Sequence, residues 1–149
     1  MAIRVAVYVA VAIGVVVPRA VPSLRIPGDG WITGAGLIIM WLGLAVRVWA
    51  VATLGQAFRT SVEVDTGQAV VTAGPYRWIR HPSYTGLPVF FAGFGLGGAN
   101  WLSLAICAVA PTTALMWRIR VEEDELTRVL GDRYDAYRMR TKRLIPGLW

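Results

Sequence analysis

Trp31 to Leu54 is an apolar run with one charged residue, Arg47, opened by Asp29-Gly30 and closed before Gly55. About 20 such residues cross the hydrocarbon core of a bilayer as a helix, the form in which backbone polar groups satisfy one another without water. The run therefore fixes the solvent in which its neighbours must fold. The remaining chain agrees with it: 56% of the 149 residues are hydrophobic and only 16% are charged. The mean hydropathy of +0.53 lies far above that of a soluble protein.

Two more apolar regions follow the same logic. Ile3 to Val17 is interrupted only by Arg4 and bounded by Pro18 and Pro22, and with its flanks it reaches spanning length. Arg4 imitates the charged start of a signal peptide, but no small-x-small cleavage site follows, so a retained first span is expected. Thr85 to Trp117 is too long for one crossing, and Gly97-Gly98-Ala99-Asn100 divide it into a tight helical hairpin. Gly86, Gly93 and Gly95 allow close helix approach, and neighbouring helices can absorb kinks at Pro88 and Pro111.

The polar parts lie between and after these spans. Arg59 to Tyr84 is broken by Gly67, Gly74, Pro75 and Pro82, with short extended pieces expected at Val62, Val64 and Val70-Val71 around an Asp65-Thr66-Gly67 turn. Arg118 to Leu130 reads as a charged amphipathic helix, with Gly131 as its C-terminal cap and Asp132 as the N-cap of a helix over Tyr134 to Thr141. The expected fold is an all-α integral membrane protein of about four transmembrane helices, forming one domain. Residues 1–54 hold two N-terminal spans, 55–85 a cytosolic loop, 86–117 the helical hairpin and 118–149 cytosolic tail helices.

Fifteen Lys and Arg against nine Asp and Glu give a net charge of +6. The basic residues sit beside apolar spans and in the C-terminal tail, as cytosolic loops facing anionic lipid require, so the charge points to membrane lipids and not to nucleic acid. A single cysteine, Cys107, excludes an intrachain disulfide and reads as packing. A single histidine, His81, excludes a His-cluster metal site, and no metal is expected. Arg47, about two turns from the end of its span, is either a functional residue or a long side chain reaching the near interface.

Two polar clusters flank the hairpin, Gly74 to Gly86 and Arg118 to Leu126, and its folding would bring them together. In the first, Pro82 forces His81 out of helical geometry and suits the first turn of the next helix, whose free N–H groups favour an anion. Tyr76, Trp78 and Tyr84 could surround a cation, or form an interfacial aromatic belt. In the second, Arg118 and Glu122 share a helix face. They are either an exposed ion pair or part of an acidic patch that holds the ammonium of an amino-acid-like ligand.

The series Gly74-x-Tyr76, Arg80-His81-Pro82-Ser83-Tyr84-x-Gly86, Arg118-x-x-x-Glu122-Glu123-x-x-Leu126, Gly131-x-x-Tyr134-x-x-Tyr137 and Ile145-Pro146 resembles the isoprenylcysteine carboxyl methyltransferase family, within the wider group that includes phospholipid methyltransferases. The likeness spans about the C-terminal two thirds. It implies a helical membrane fold that binds S-adenosylmethionine at the cytosolic face, with S-adenosylhomocysteine as product. By this resemblance Tyr76, His81, Pro82, Ser83, Tyr84 and Glu122 would contact the cofactor, with Gln68 and Val71 nearby. Arg118 would hold the carboxylate of a lipophilic or lipidated acceptor. The competing functions are a phospholipid amine N-methyltransferase, an NADPH-dependent sterol-reductase-like enzyme, for which Asn is expected where Ser83 stands, and a non-catalytic membrane scaffold.

Overall fold

The computed structural model describes residues 2–28, 30–55 and 70–147. They form α1 (Ala2–Ala20), a 3₁₀ turn (Pro22–Leu24), α2 (Trp31–Leu54), a second 3₁₀ turn (Gly74–Arg77), α3 (Pro82–Gly97), α4 (Trp101–Leu130) and α5 (Asp132–Arg140). The described residues contain no strand, only isolated bridges between Arg25 and Asn100 and between Ile79 and Lys142. The all-helical expectation is met. Helices α2 and α4 are each long and apolar enough to cross a membrane, and α1 is apolar over Val5–Ala20. The extended pieces expected at Val62 and Val64, with their Asp65-Thr66-Gly67 turn, lie outside the described residues. Val70 and Val71 carry no regular structure.

Two helix ends differ from expectation. Helix α1 does not stop at Val17 but runs through Pro18 to Ala20. A Cβ on Gly98 would come within 2.8 Å of Pro18 Cγ, so the proline ring is seated against a residue without a side chain. Asp132 is not an N-cap. Gly131, at φ +52°, makes the junction alone: its N–H donates to Thr127 O at 3.0 Å, and its carbonyl accepts from Tyr134 N–H at 2.9 Å. Asp132 instead stands in the first turn of α5, where its charge meets the positive end of the helix dipole.

The chain divides into two compact units. The first comprises Met1–Ala45 and Gly86–Met116. Its core is Ala10, Phe91 and Cys107, with Val7, Leu87, Phe90 and Phe94 packed against them. The Cys107 thiol donates to Ala10 O at 3.3 Å. Within this unit α2 and α3 touch backbone to backbone. A Cβ on Gly43 would lie 2.3 Å from Phe90 N, and one on Gly93 would lie 2.3 Å from Met40 N. Such contact is available only to glycine and substitutes for the hydrophobic drive that helices lack in lipid. Asn100 closes the turn between α3 and α4: its Oδ1 accepts from Leu102 N–H at 3.0 Å and Ser103 N–H at 3.2 Å, while Nδ2 donates to Val21 O at 2.8 Å.

The second unit comprises Val46–Thr85 and Trp117–Trp149. Tyr76, Ile79, Ile119, Tyr134, Tyr137 and Leu144 are buried in it. The segment after α5 pairs alongside the segment before α3. Lys142 N–H donates to Trp78 O at 3.1 Å, Arg80 N–H to Lys142 O at 2.7 Å and His81 N–H to Arg143 O at 3.1 Å. Thr85 Oγ1 adds a bond to Leu144 O at 2.8 Å. The turn bearing His81 and Pro82 is therefore strapped down by the C-terminal segment.

The helix contact in the first unit predicts a contrast between glycines. Gly93→Ala should destabilise by about 1–3 kcal/mol, the cost of overpacking. Gly34→Ala, on the same α2 but with nothing within 4 Å of its added Cβ, should be neutral or stabilising. Thermal denaturation of both variants in detergent measures the difference.

Candidate active site

The second unit carries a recess lined by Leu54, Tyr76, Arg80, His81, Ser83, Tyr84 and Glu122. The sequence explains why these residues converge. Pro82 has no N–H and a fixed φ, so it opens α3 and leaves His81 in a non-helical turn, with Ser83 and Tyr84 on the first helical turn. His81 O accepts from Tyr84 N–H and from Thr85 N–H, each at 3.0 Å, which closes that turn.

Polar contacts hold the lining groups in place. The Tyr84 hydroxyl donates to Glu122 Oε2 at 2.7 Å. The His81 and Tyr84 rings stack, with centroids 5.5 Å apart and planes at 12°. Arg118 Nε lies 4.0 Å from Glu122 Oε2, with the arginine 39% and the glutamate 20% exposed. Glu122 thus faces the recess with one hydroxyl partner and a loosely held cation. The Tyr137 hydroxyl donates to Tyr76 O at 2.7 Å, fixing the 3₁₀ turn from below. Burial pushes the Tyr137 hydroxyl up to about 12, against the lowering effect of Arg80 and of its bond with Thr141, so it remains a donor. Burial first, and then the nearby Tyr137 and Glu122, push the Tyr76 hydroxyl well above the usual phenol range.

Glu123, next to Glu122, is turned the other way. Its side chain is 3% exposed and receives Arg80 Nε on Oε1 and Arg143 Nε on Oε2, both at 2.8 Å. His81 Nε2 is 3.4 Å from Oε1. Arg80 also donates from Nη1 to Arg138 O and Thr141 O. One buried carboxylate therefore gathers the turn before α3, the charged end of α4 and the C-terminal segment.

Of the residues expected from sequence, Tyr76, His81, Ser83, Tyr84 and Glu122 line one recess. Pro82 is buried and shapes the turn without lining it, and Arg118 stands beside it through Glu122. Val71 is half-buried and is not part of the lining, and Gln68 lies outside the described residues. Leu54 was not singled out, and Arg80 and Glu123 stood in the motif series without a role of their own. A signal for Glu123 existed. Successive helical residues point about 100° apart, so two adjacent acids present different faces and are expected to meet different surroundings.

Comparisons with known proteins point to one family. The profile of the isoprenylcysteine carboxyl methyltransferase (ICMT) family matches residues 36–128. The rat protein-S-isoprenylcysteine O-methyltransferase is 33% identical over 122 residues, covering 78% of this chain and 42% of its own length. The Arabidopsis thaliana protein-S-isoprenylcysteine O-methyltransferase B is 30% identical over 118 residues, covering 78% of this chain and 60% of its own. The solved structure of a eukaryotic intramembrane Ras methyltransferase, ICMT, superposes with a TM-score of 0.79 at 26% identity, over 97% of this chain and 52% of that one. The chain thus spans about half the length of the relatives it matches.

The Glu123 cluster generates a stability prediction. Glu123→Gln should destabilise by about 3–5 kcal/mol, because it leaves the buried Arg80 guanidinium without its counter-charge. Glu125→Ala, which removes the solvent-exposed pair with Arg128, should leave stability unchanged. Unfolding midpoints of the two variants in the same detergent give the comparison.

Proposed function

The chain belongs to the isoprenylcysteine carboxyl methyltransferase family, and on that basis we propose that it transfers a methyl group from S-adenosylmethionine to the carboxylate of an isoprenylcysteine-like, lipid-bearing acceptor. The observation that carries this reading is the charge arrangement at the recess: a Glu122 carboxylate held by Tyr84, with the Arg118 guanidinium 4.0 Å away. The residues present suit the donor's chemistry. Glu122 offers an anion for its ammonium, and the aromatic rings of Tyr76 and Tyr84 suit its sulfonium through cation–π attraction. Pro82 and Ser83 build the turn beneath them.

S-adenosylmethionine supplies an electrophilic methyl group on a sulfonium. The protein's tasks are then alignment and exclusion of water, since in-line displacement depends on both. A carboxylate acceptor is ionised at neutral pH and needs no general base. An amine acceptor would need one, yet the lone histidine has Nε2 directed at Glu123 and its ring stacked on Tyr84. Arg118, 39% exposed, would receive and orient the acceptor carboxylate while the lipid chain stays in the bilayer. We further propose that α1 to α4 all span the membrane and that residues 55–85 and 118–149 face the cytosol. That orientation places most of the basic residues inside.

The reading is tested with membranes containing the full chain, methyl-labelled S-adenosylmethionine and a farnesylated cysteine derivative. A labelled methyl ester that mild alkali releases as methanol is the expected product. Alkali-stable label would indicate an N-methylated amine, and absence of label would remove the activity. Arg118→Ala should lower turnover about 100-fold while leaving cofactor affinity within about twofold. Glu122→Ala should instead weaken S-adenosylhomocysteine binding, measured by titration calorimetry. Unchanged affinity would take Glu122 out of the site.

A further inference from the structure

Arg47 is a charge placed inside an apolar helix, an expensive position that calls for a reason. Leu54, where α2 ends, is seven residues on, about 10 Å along the axis, within partial reach of a long side chain. The guanidinium does not take that route. Its Nη1 donates to both Ser83 O and Ser83 Oγ, at 3.2 Å each. Among the described residues no carboxylate pairs with Arg47, so Ser83 is the partner that accounts for its direction.

Ser83 is a consequential partner. It is 7% exposed, lines the recess and follows Pro82, which contributes no N–H to the helix start. We propose that Arg47 is a positioning residue: by holding the carbonyl and hydroxyl of Ser83 together, it fixes the first turn of α3 on which the donor-binding face of the recess is built. This rests on the methyl-donor reading above. Arg47 is not among the residues lining the recess, so its effect passes through Ser83. Both bonds leave one nitrogen, so a lysine ammonium in the same place could satisfy the same two oxygens. The requirement is for a cationic donor at this depth, not for the guanidinium fork.

The test is calorimetric titration of S-adenosylhomocysteine into the purified full chain and its variants. Arg47→Met should weaken binding about tenfold, as loss of charge-assisted bonds to a lining residue requires. Arg47→Lys should recover most of that loss. Acceptor KM, measured at saturating cofactor, should stay within about twofold of wild type, whereas a general loosening of the fold would change both. In a Ser83→Ala background the Arg47→Met penalty should shrink, because half of the contact is already gone. Native affinity in Arg47→Met, or an equal penalty in both backgrounds, would overturn the proposal. If Arg47→Met does not accumulate, Arg47→Gln serves in its place, since its neutral amide removes the charge while leaving a polar group for the partners at that position. A wild-type chain that binds no S-adenosylhomocysteine would reject the donor site itself. Wild-type binding with indifferent Arg47 variants would reject only the positioning role.

Discussion

A carboxylate withdrawn from water forfeits several kcal/mol of hydration, and a single counter-ion does not return it unless every lone pair finds a donor. Glu123 meets that condition with a separate arginine Nε on each oxygen at 2.8 Å and the His81 ring at 3.4 Å. Arg80 is held in turn by donating from Nη1 to Arg138 O and Thr141 O. Segments from three parts of the chain are thereby obliged to meet at one point. The recess is organised around that point, because Arg80 and His81 both line it and both contact Glu123.

The neighbouring acid is free for a different task because the helix turns about 100° between the two. Glu122 is 20% exposed, where Glu123 is 3%. Among the described residues its hydrogen-bond partner is the Tyr84 hydroxyl, a neutral donor that orients the carboxylate without cancelling its charge. A site of this kind presents its charge before a ligand arrives, and preorganisation spares the reorganisation that water would impose. In the proposed site, adjacent residues on one helix would thus divide structure and recognition between them. The division depends on α4 continuing unbroken past Trp117, where its apolar stretch gives way to the charges that begin at Arg118.

Much of this was legible in the sequence, and the remainder was hidden for definable reasons. Apolar length revealed α2 and the apolar part of α4, and the Gly97 to Asn100 bend separated α3 from α4, because these are one-dimensional properties. The resemblance picked out five lining residues because they fall in three short motifs. Contacts across 36 or more residues, such as Arg47 with Ser83 and Arg80 with Glu123, depend on which way a helix face turns, which no spacing states. The i,i+4 rule paired Arg118 with Glu122, yet the two sit 4.0 Å apart because Tyr84 supplies the shorter bond. Pro18 and Asp132 were misread as boundaries. A proline can remain in a helix where a glycine receives its ring, and a left-handed glycine can end one helix and begin the next unaided.

Charge, more than shape, decides which acceptor the proposed site would favour. An ammonium approaching the recess would meet Arg118 first, as a like charge with only partial compensation from Glu122. It would also need to lose a proton to a base, and the one imidazole is buried, stacked and directed at Glu123. A carboxylate meets attraction at the same position and arrives already ionised. Because Arg118 is 39% exposed, that attraction is open to solvent and is screened by salt to the degree that the charge is hydrated. Recognition of the headgroup would therefore be electrostatic and modest, and the lipid chain would act chiefly by concentrating the acceptor in the membrane, where each methylene removed from water contributes about 0.8 kcal/mol to partitioning. An enzyme built this way would tolerate variation in what surrounds the carboxylate and would discriminate by the presence of the lipid.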